Sequence, residues 1–184
     1  MELLGWVTAS LFAPPGEAFF RELSAGTLEE ALEELTGHPV ALPQVAPSEL
    51  QAAYTALFVS TPSGLPAPPY AGYALDGEPF GPSYHRLLEL YREGGLEVQE
   101  TWRDLPDHLS ALGEAIALLN PRRPDLSRRL VQEFLHPWLK RFGPAVKAHD
   151  PTGFYRELVE LLEEAIHAKT GVSENIFEVT SPSG

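Results

Sequence analysis

The fold class is decided by residues 126–146, which read LSRRLVQEFLHPWLKRFGPAV. A large apolar residue stands at every fourth position of this stretch, from Leu126 through Trp138 to Val146. Such spacing places apolar side chains along one face of an α-helix. Pro137 interrupts the run, because its ring removes a backbone donor and clashes with the preceding turn. We therefore predict a kink at Pro137 or two helices that abut there.

Four other segments show helical spacing. Their apolar residues are Leu50, Ala53, Tyr54, Leu57 and Phe58; Leu87, Leu88 and Tyr91; Leu109, Leu112, Ile116 and Leu119; and Phe154, Leu158, Leu161, Leu162 and Ile166. Alternating strand patterns are nearly absent, and only the short stretch Phe177-Glu-Val-Thr in the tail looks strand-like. The sequence therefore predicts an all-α bundle of about eight helices, with a short N-terminal part and a larger C-terminal part.

Residues near the N-terminus carry helix start and stop signals. Pro14-Pro15 is expected to open a helix that closes before Gly26. Thr27 is expected to cap the next helix, and Gly37 to end it.

The longest stretch without helical spacing runs over residues 61–82 and is rich in proline and glycine. A loop of about 20 residues is unusual in a compact domain. The aromatic residues Tyr70, Tyr73 and Phe80 would let it pack against the protein. Two interpretations remain compatible: a linker between helical subdomains, and a binding loop or hinge.

The corresponding domain prediction is a single helical domain over residues 1–168. Residues 1–60 and 83–168 are possible subdomains on either side of the loop 61–82, and residues 169–184 are a C-terminal tail.

Charge narrows the choice of partners. The 26 acidic and 13 basic residues give a net charge of −13, although residues 121–149 alone carry +5. An acidic surface repels phosphate backbones and anionic lipid, so we expect no nucleic-acid partner and no stable membrane insertion. It either attracts a cationic partner or only keeps the protein soluble. No apolar run approaches the roughly 20 residues that span a bilayer, and a cytoplasmic location is expected.

Signatures of enzymatic and metal chemistry are missing from the sequence. The chain has no cysteine, which excludes disulfides, thiolate metal sites and cysteine nucleophiles. Its six histidines include no pair at helical spacing and no HExxH motif. Phosphate-binding glycine motifs and a GxSxG motif are absent as well. We therefore expect no metal, no cofactor and no enzymatic activity.

The sharpest polar cluster is Asp104-Leu-Pro-Asp-His108. One interpretation is the start of a helix, with Asp104 or Asp107 as its cap and Pro106 in the first turn. A second is a catalytic pair of Asp107 and His108, in a small hydrolase or a nucleotide-dependent switch. Adjacent residues entering a helix point about 100° apart, which disfavours that pair. A third is recognition of a basic peptide by an exposed carboxylate and imidazole.

A series of short motifs runs along the chain. It comprises Tyr54-x-x-Leu57-Phe58, Gly64-x-Pro66-x-Pro68-Pro69-Tyr70-Ala71, Phe80-Gly81-Pro82, Leu90-Tyr91-x-x-Gly94-Gly95-Leu96, Leu105-Pro106-Asp107-His108-Leu109 and Phe134-Leu-His-Pro-Trp138. In this order, over residues 3–167, the chain resembles the TorD/DmsD/NarJ family of redox-enzyme maturation chaperones.

The resemblance implies a non-catalytic cytoplasmic chaperone. Its partner would be the catalytic subunit of a molybdopterin-containing oxidoreductase, bound by its N-terminal segment, often a twin-arginine signal peptide. The chaperone would hold the apoenzyme during cofactor insertion and delay export or membrane assembly. It would be a monomer or a homodimer that exchanges a helical part. The positions that match the family's peptide-recognition stretches are Tyr70, Tyr73, Phe80, Gly81, Pro106, Asp107 and His108.

Overall fold

A computed structural model describes residues 1–60 and 64–171, which form ten α-helices and no strand. The helices are α1 (Glu2–Phe12), α2 (Glu17–Ser24), α3 (Thr27–Thr36), α4 (Pro47–Tyr54), α5 (Ala71–Asp76), α6 (Pro82–Glu93), α7 (Leu109–Leu119), α8 (Pro124–Leu130), α9 (His136–His149) and α10 (Phe154–Thr170). Two π-helical turns, Thr55–Val59 and Val131–Leu135, extend α4 and join α8 to α9. The predicted all-α class is confirmed. The strand-like residues 177–180 lie outside the described part of the chain.

The stretch 126–146 forms α8, a π-helical turn and α9 without a break in the helical run. Pro137 lies in the first turn of α9, directly after the π-helical turn. A π-helical turn is wider than an α-helical turn. It therefore gives room for the proline ring, and the missing N–H of Pro137 breaks no regular α-helical hydrogen-bond pattern there. The helical run therefore continues through Pro137, with a π-helical turn directly before it, and the expected end of one helix and start of another at that residue is not seen. Phe134 and Trp138 are fully buried, as the apolar stripe requires.

Helix α1 packs against α7 with their backbones in direct contact. A Cβ atom added at Gly5 would overlap the backbone of Gly113 and Ala117, and one added at Gly113 would overlap the backbone of Gly5 and Ala9. Small residues on both helices therefore permit the close approach. This contact joins the N-terminal part of the chain to its C-terminal part.

The predicted ends of α2 and α3 agree with the structure in part. Helix α2 begins at Glu17, after Pro14-Pro15, and α3 is terminated by Gly37, the residue after Thr36, which has a φ of 81°. The prediction that Thr27 caps α3 is wrong. Gly26 holds the cap position with a φ of 77°, and Thr27 is the first helical residue. The left-handed backbone at this tight turn favours glycine.

The predicted non-helical stretch 61–82 contains a helix, and that expectation is wrong for residues 71–76. Helix α5 has only six residues, follows the extended Tyr70 and is terminated by Gly77, the residue after Asp76, which has a φ of 78°. Six residues give fewer than two turns. They are too few to show a helical period between flanking prolines and glycines.

The buried apolar residues form one contiguous cluster that draws on α1 at one end of the chain and α10 at the other. Among the described residues, no helix is both long and apolar enough to cross a membrane. The candidate functional surface lies at the connections between helices, above all at those that lead into α5 and α7.

Candidate functional site

Two segments that are distant in sequence pair beside the start of α7. The backbone N–H of Ala71 donates to the carbonyl oxygen of Asp107 over 2.9 Å, and the N–H of Leu109 donates to that of Pro69 over 2.8 Å. These bonds form an isolated antiparallel bridge between Tyr70 and His108. The pairing brings three predicted site residues together: Tyr70, Asp107 and His108.

Asp107 lies beneath this bridge and is only 1% exposed. Its Oδ2 accepts a hydrogen bond from the N–H of Gly72 over 3.1 Å. Its Oδ1 is buried without a hydrogen-bond partner in the described structure. Burial raises the pKa of this carboxyl to about 6, although the bond from Gly72 acts in the opposite direction. Asp107 is therefore neither an exposed recognition carboxylate nor a helix cap, and both of those interpretations are wrong for this residue.

His108 is the cap of α7. Its Nδ1 accepts a hydrogen bond from the backbone N–H of Ser110 over 3.1 Å, which places the proton of the neutral ring on Nε2. Burial lowers its pKa, so the neutral form prevails near pH 7. The carboxylate of Asp107 is bonded to Gly72, and the acceptor nitrogen of His108 to Ser110. The arrangement of a catalytic pair, in which the carboxylate orients the imidazole, is therefore absent from these two residues.

Tyr70 connects the bridge to solvent. Its hydroxyl donates to Oδ1 of Asp104 over 3.1 Å, and its ring packs edge-on against His108 with centroids 5.6 Å apart. Burial and the charge of Asp104 raise the pKa of this phenol to about 12. Asp104 itself is exposed. It does not cap α7, and it is the exposed carboxylate of the polar cluster 104–108.

An apolar cleft opens beside Tyr70, with a volume of about 450 Å³. We call it the Tyr70 cleft. Its lining comprises Ala13, Pro14, Tyr54, Phe58, Val59, Leu65, Pro69, Tyr70, Trp102, Arg103, Asp104, His108 and Ser110. Aromatic and aliphatic side chains form most of this surface, and Val59 is 55% exposed. The cleft has the character of a site for an apolar ligand with a polar or cationic edge.

A second groove lies on the other side of Trp102, between α7 and the connection from α6. We call it the Leu118 groove; its volume is about 240 Å³. It is lined by Tyr91, Leu96, Glu97, Val98, Gln99, Thr101, Trp102, Pro106, Ala111, Glu114, Ala115 and Leu118. Trp102 is thus a wall of both concave surfaces. Its Nε1–H donates to the carbonyl oxygen of Leu105 over 3.2 Å, and its ring packs against His108.

The remaining predicted site residues lie elsewhere. Pro106 lines the Leu118 groove, and its carbonyl oxygen accepts a hydrogen bond from the hydroxyl of Tyr91. Tyr73 packs against Phe142 in α9. Phe80 and Gly81 form the turn before α6 and do not line the Tyr70 cleft.

Phe80 has a φ of 60°, which is strained for a bulky residue, and it is 56% exposed. A Cβ atom at Gly81 would overlap the carboxylate of Asp76, which accepts the N–H of Ser83 and so caps α6. Gly81 thus has a packing role.

Sequence reasoning missed part of this site. Val59, at the end of the π-helical turn after α4, and Leu65, a few positions later, both line the Tyr70 cleft. The place of Trp102 in the site is not predictable from the sequence, because a single aromatic residue has no apolar spacing to interpret. The signal in the sequence that could have indicated its role is its position two residues before Asp104, at the start of the polar cluster 104–108. In the described part of the chain, no three His, Asp or Glu side chains are grouped so as to hold a metal ion.

Comparisons with known proteins give a consistent set of matches. A family model described as nitrate reductase delta subunit matches residues 21–143. The chaperone protein TorD of Shewanella loihica is 30% identical over 171 residues, which cover 84% of this chain and 77% of that protein. The chaperone protein TorD of Salmonella arizonae is 34% identical over 127 residues, covering 65% of this chain and 58% of that protein.

A solved structure shares the fold. It is that of a redox enzyme maturation protein from Archaeoglobus fulgidus, with a TM-score of 0.63 and 22% sequence identity. The superposition covers 89% of this chain and 92% of that one. At this identity the likeness concerns the helical architecture alone.

Proposed function

Because this chain belongs to the TorD/DmsD/NarJ family of redox-enzyme maturation chaperones, we propose that it binds the N-terminal segment of a molybdopterin-containing oxidoreductase. The chain is a chaperone and not an enzyme, so the hydrolase alternative built on Asp107 and His108 is set aside. The segment would be of the twin-arginine type, and binding would take place in the cytoplasm before export or membrane attachment.

The observation that carries the proposal is the Tyr70 cleft. A twin-arginine segment is cationic and then apolar, so its binding site needs an apolar surface with acidic groups close by. The cleft offers the aromatic rings of Tyr70 and Trp102, with Asp104 at its edge. The bridge between Tyr70 and His108 fixes one wall of the cleft before any ligand arrives. A preformed wall lowers the ordering cost of binding.

The chaperone mechanism would be occlusion followed by release. Covering the segment keeps it from the export or assembly machinery while the cofactor is inserted. The chaperone remains bound only while the N-terminal segment of the oxidoreductase is accessible to it. Once the completed oxidoreductase folds against its own N-terminal segment, the chaperone loses its ligand.

The test is calorimetric titration with a twin-arginine peptide of about 20 residues. We expect Tyr70→Ala to weaken binding about 30-fold, because truncating an aromatic residue in a groove typically costs about 2 kcal/mol. Phe20→Ala is the matched control, since Phe20 is also a half-buried aromatic but does not line the cleft. If the folded wild type fails to bind, or both variants lose the same affinity, the proposal is wrong.

A further inference from the structure

We infer that the bound segment lies in one direction across the surface, with its cationic residues in the Leu118 groove and its apolar residues in the Tyr70 cleft. Trp102 would lie between the two parts. This inference rests on the proposed function and adds a polarity to it. Three observations support it: the charges at the two surfaces, the side chains that line them, and their shared wall.

The charges of the two surfaces differ. The Leu118 groove is lined by Glu97 and Glu114, and no Lys or Arg is among its lining residues. Both carboxylates are exposed, and neither forms an ion pair within the described residues. In the Tyr70 cleft, Asp104 is offset by the neighbouring Arg103. His108 adds no charge there because its burial keeps the ring neutral. The net negative charge that attracts arginines therefore lies in the Leu118 groove.

The side chains match this assignment. The Leu118 groove combines its carboxylates with Leu96, Val98 and Leu118, two of which are at least 42% exposed. An arginine can lay its methylene stem along such a surface while its guanidinium group reaches a carboxylate. The face of an indole such as that of Trp102 adds a cation–π contact.

The Tyr70 cleft is almost twice as large as the Leu118 groove, at about 450 Å³ against about 240 Å³. Tyr54, Phe58, Val59 and Leu65 contribute to its lining. Such a surface suits bulky apolar side chains, whose burial contributes roughly 25 cal/mol per Å². The apolar half of the segment therefore fits this cleft.

The shared wall makes the two surfaces contiguous. Trp102 lines both, and its indole is held by the carbonyl oxygen of Leu105 and by the ring of His108. A helix of 20 residues is about 30 Å long, enough to span two adjacent grooves. One amphipathic helix can thus place its two halves on opposite sides of one fixed indole.

Paramagnetic labelling tests the direction. The chain has no cysteine, so a nitroxide on a single cysteine of the peptide is the only label in the complex. With the label at the peptide's cationic end, we expect stronger broadening of the amide signals of Val98, Gln99 and Leu118 than of Val59 and Leu65. A label at the apolar end should give the opposite pattern, with the reduced nitroxide as the diamagnetic control.

The outcomes separate the two proposals. Failure of the labelled peptide to bind would overturn the proposed function, and the inference with it. Binding with the reversed broadening pattern, or with the same pattern from both label positions, would overturn the inference alone.

Charge-neutralising variants give a second, independent test. We expect the double variant Glu97→Gln, Glu114→Gln to weaken binding of the twin-arginine peptide about tenfold, as two rim ion pairs of modest strength would. It should bind a peptide with both arginines replaced by glutamine as the wild type does. The control is Glu22→Gln, Glu30→Gln, which removes the same charge from exposed positions outside both surfaces. Equal losses in the two double variants would overturn the inference.

Discussion

The carboxylate of Asp107 accepts a hydrogen bond from the backbone N–H of Gly72, although 35 positions separate the two residues in the chain. A Cβ atom at Gly72 would lie 3.0 Å from that carboxylate and 3.2 Å from the backbone nitrogen of Tyr84. The first turn of α5 is thus held between the start of α7 and the start of α6. Because Tyr70 directly precedes α5, this buried bond positions a wall of the Tyr70 cleft, although neither Gly72 nor Asp107 lines the cleft.

The first prediction concerns the pH dependence of stability. Burial raises the pKa of Asp107 from 3.8 to about 6, so the folded protein holds this proton more tightly than the unfolded chain. As pH rises through this window, the contribution of Asp107 to the free energy of unfolding falls. Between pH 5 and 7.5 the loss should be about 1 kcal/mol. Urea unfolding of the wild type and Asp107→Asn at both pH values measures it.

The comparison with Asp107→Asn is needed because titration of His108 changes the free energy of unfolding with pH in the direction opposite to Asp107. Its lowered pKa makes the folded state more stable as pH rises towards 6.5. The asparagine variant keeps His108 and an oxygen that can accept from Gly72, and so isolates the carboxyl. A difference between the two proteins that does not change with pH would contradict the prediction.

A second prediction concerns the crossing of α1 and α7. Gly5→Ala should lower the free energy of unfolding by about 2–3 kcal/mol, because the added methyl group overlaps the backbone of α7 and the helices must separate. Gly16→Ala is the control, since a Cβ there meets nothing within 4 Å. It should cost less than about 1 kcal/mol as a change of helix cap. Denaturant unfolding compares the two, and equal losses would mean that the close approach is not required.

A third prediction tests the sequence-based assignment of Phe80 to peptide binding. Phe80 lies beyond the far end of α5 from Tyr70, and α5 is about 9 Å long. A peptide that contacts both residues must therefore extend past the Tyr70 cleft. Phe80→Ala should weaken binding of a peptide of about 25 residues and leave one of about 12 residues unaffected, as titration calorimetry would show. No change with the longer peptide would show that Phe80 does not contact the segment.

A fourth prediction concerns ionic strength. Raising salt from about 0.05 to 0.5 M shortens the Debye length from roughly 14 to roughly 4 Å and should weaken binding of the twin-arginine peptide. An apolar contribution should remain. The salt dependence should shrink in Glu97→Gln, Glu114→Gln and persist in Tyr70→Ala, where the charges are intact. Binding that does not respond to salt would remove the electrostatic argument and leave the family assignment standing.

The helices are predictable from the sequence where the apolar spacing is long. The stretch 126–146 has six apolar residues at intervals of four, and the structure follows this spacing through α8 and α9. Helix α5 is not predictable from the sequence because six residues are too few to show the apolar spacing of a helix. The cap of α7 is not predictable either, because aspartate is a much commoner cap than histidine, and two aspartates precede His108.

The site is predictable only in part, for a different reason. Burial of a polar side chain depends on which distant segment covers it, and no local pattern contains that information. Asp107 is buried because residues 69–72 pair with residues 107–109. The same pairing leaves Asp104 at the rim, bonded to Tyr70. Trp102 gains its place between two grooves from the path of the connection before α7.

The crossing of α1 and α7 also governs the order in which the chain can be buried during synthesis. About 100 residues separate the two helices, and at roughly 5–20 residues per second their translation takes on the order of 5–20 s. Leu4 and Leu11 of α1 are almost completely buried in the finished fold. Until α7 emerges from the ribosome, the small-residue face of α1 around Gly5 and Ala9 lacks the helix that covers it in the finished fold. The nascent chain therefore passes through a stage in which α1 is covered only by segments made before α7, such as α3.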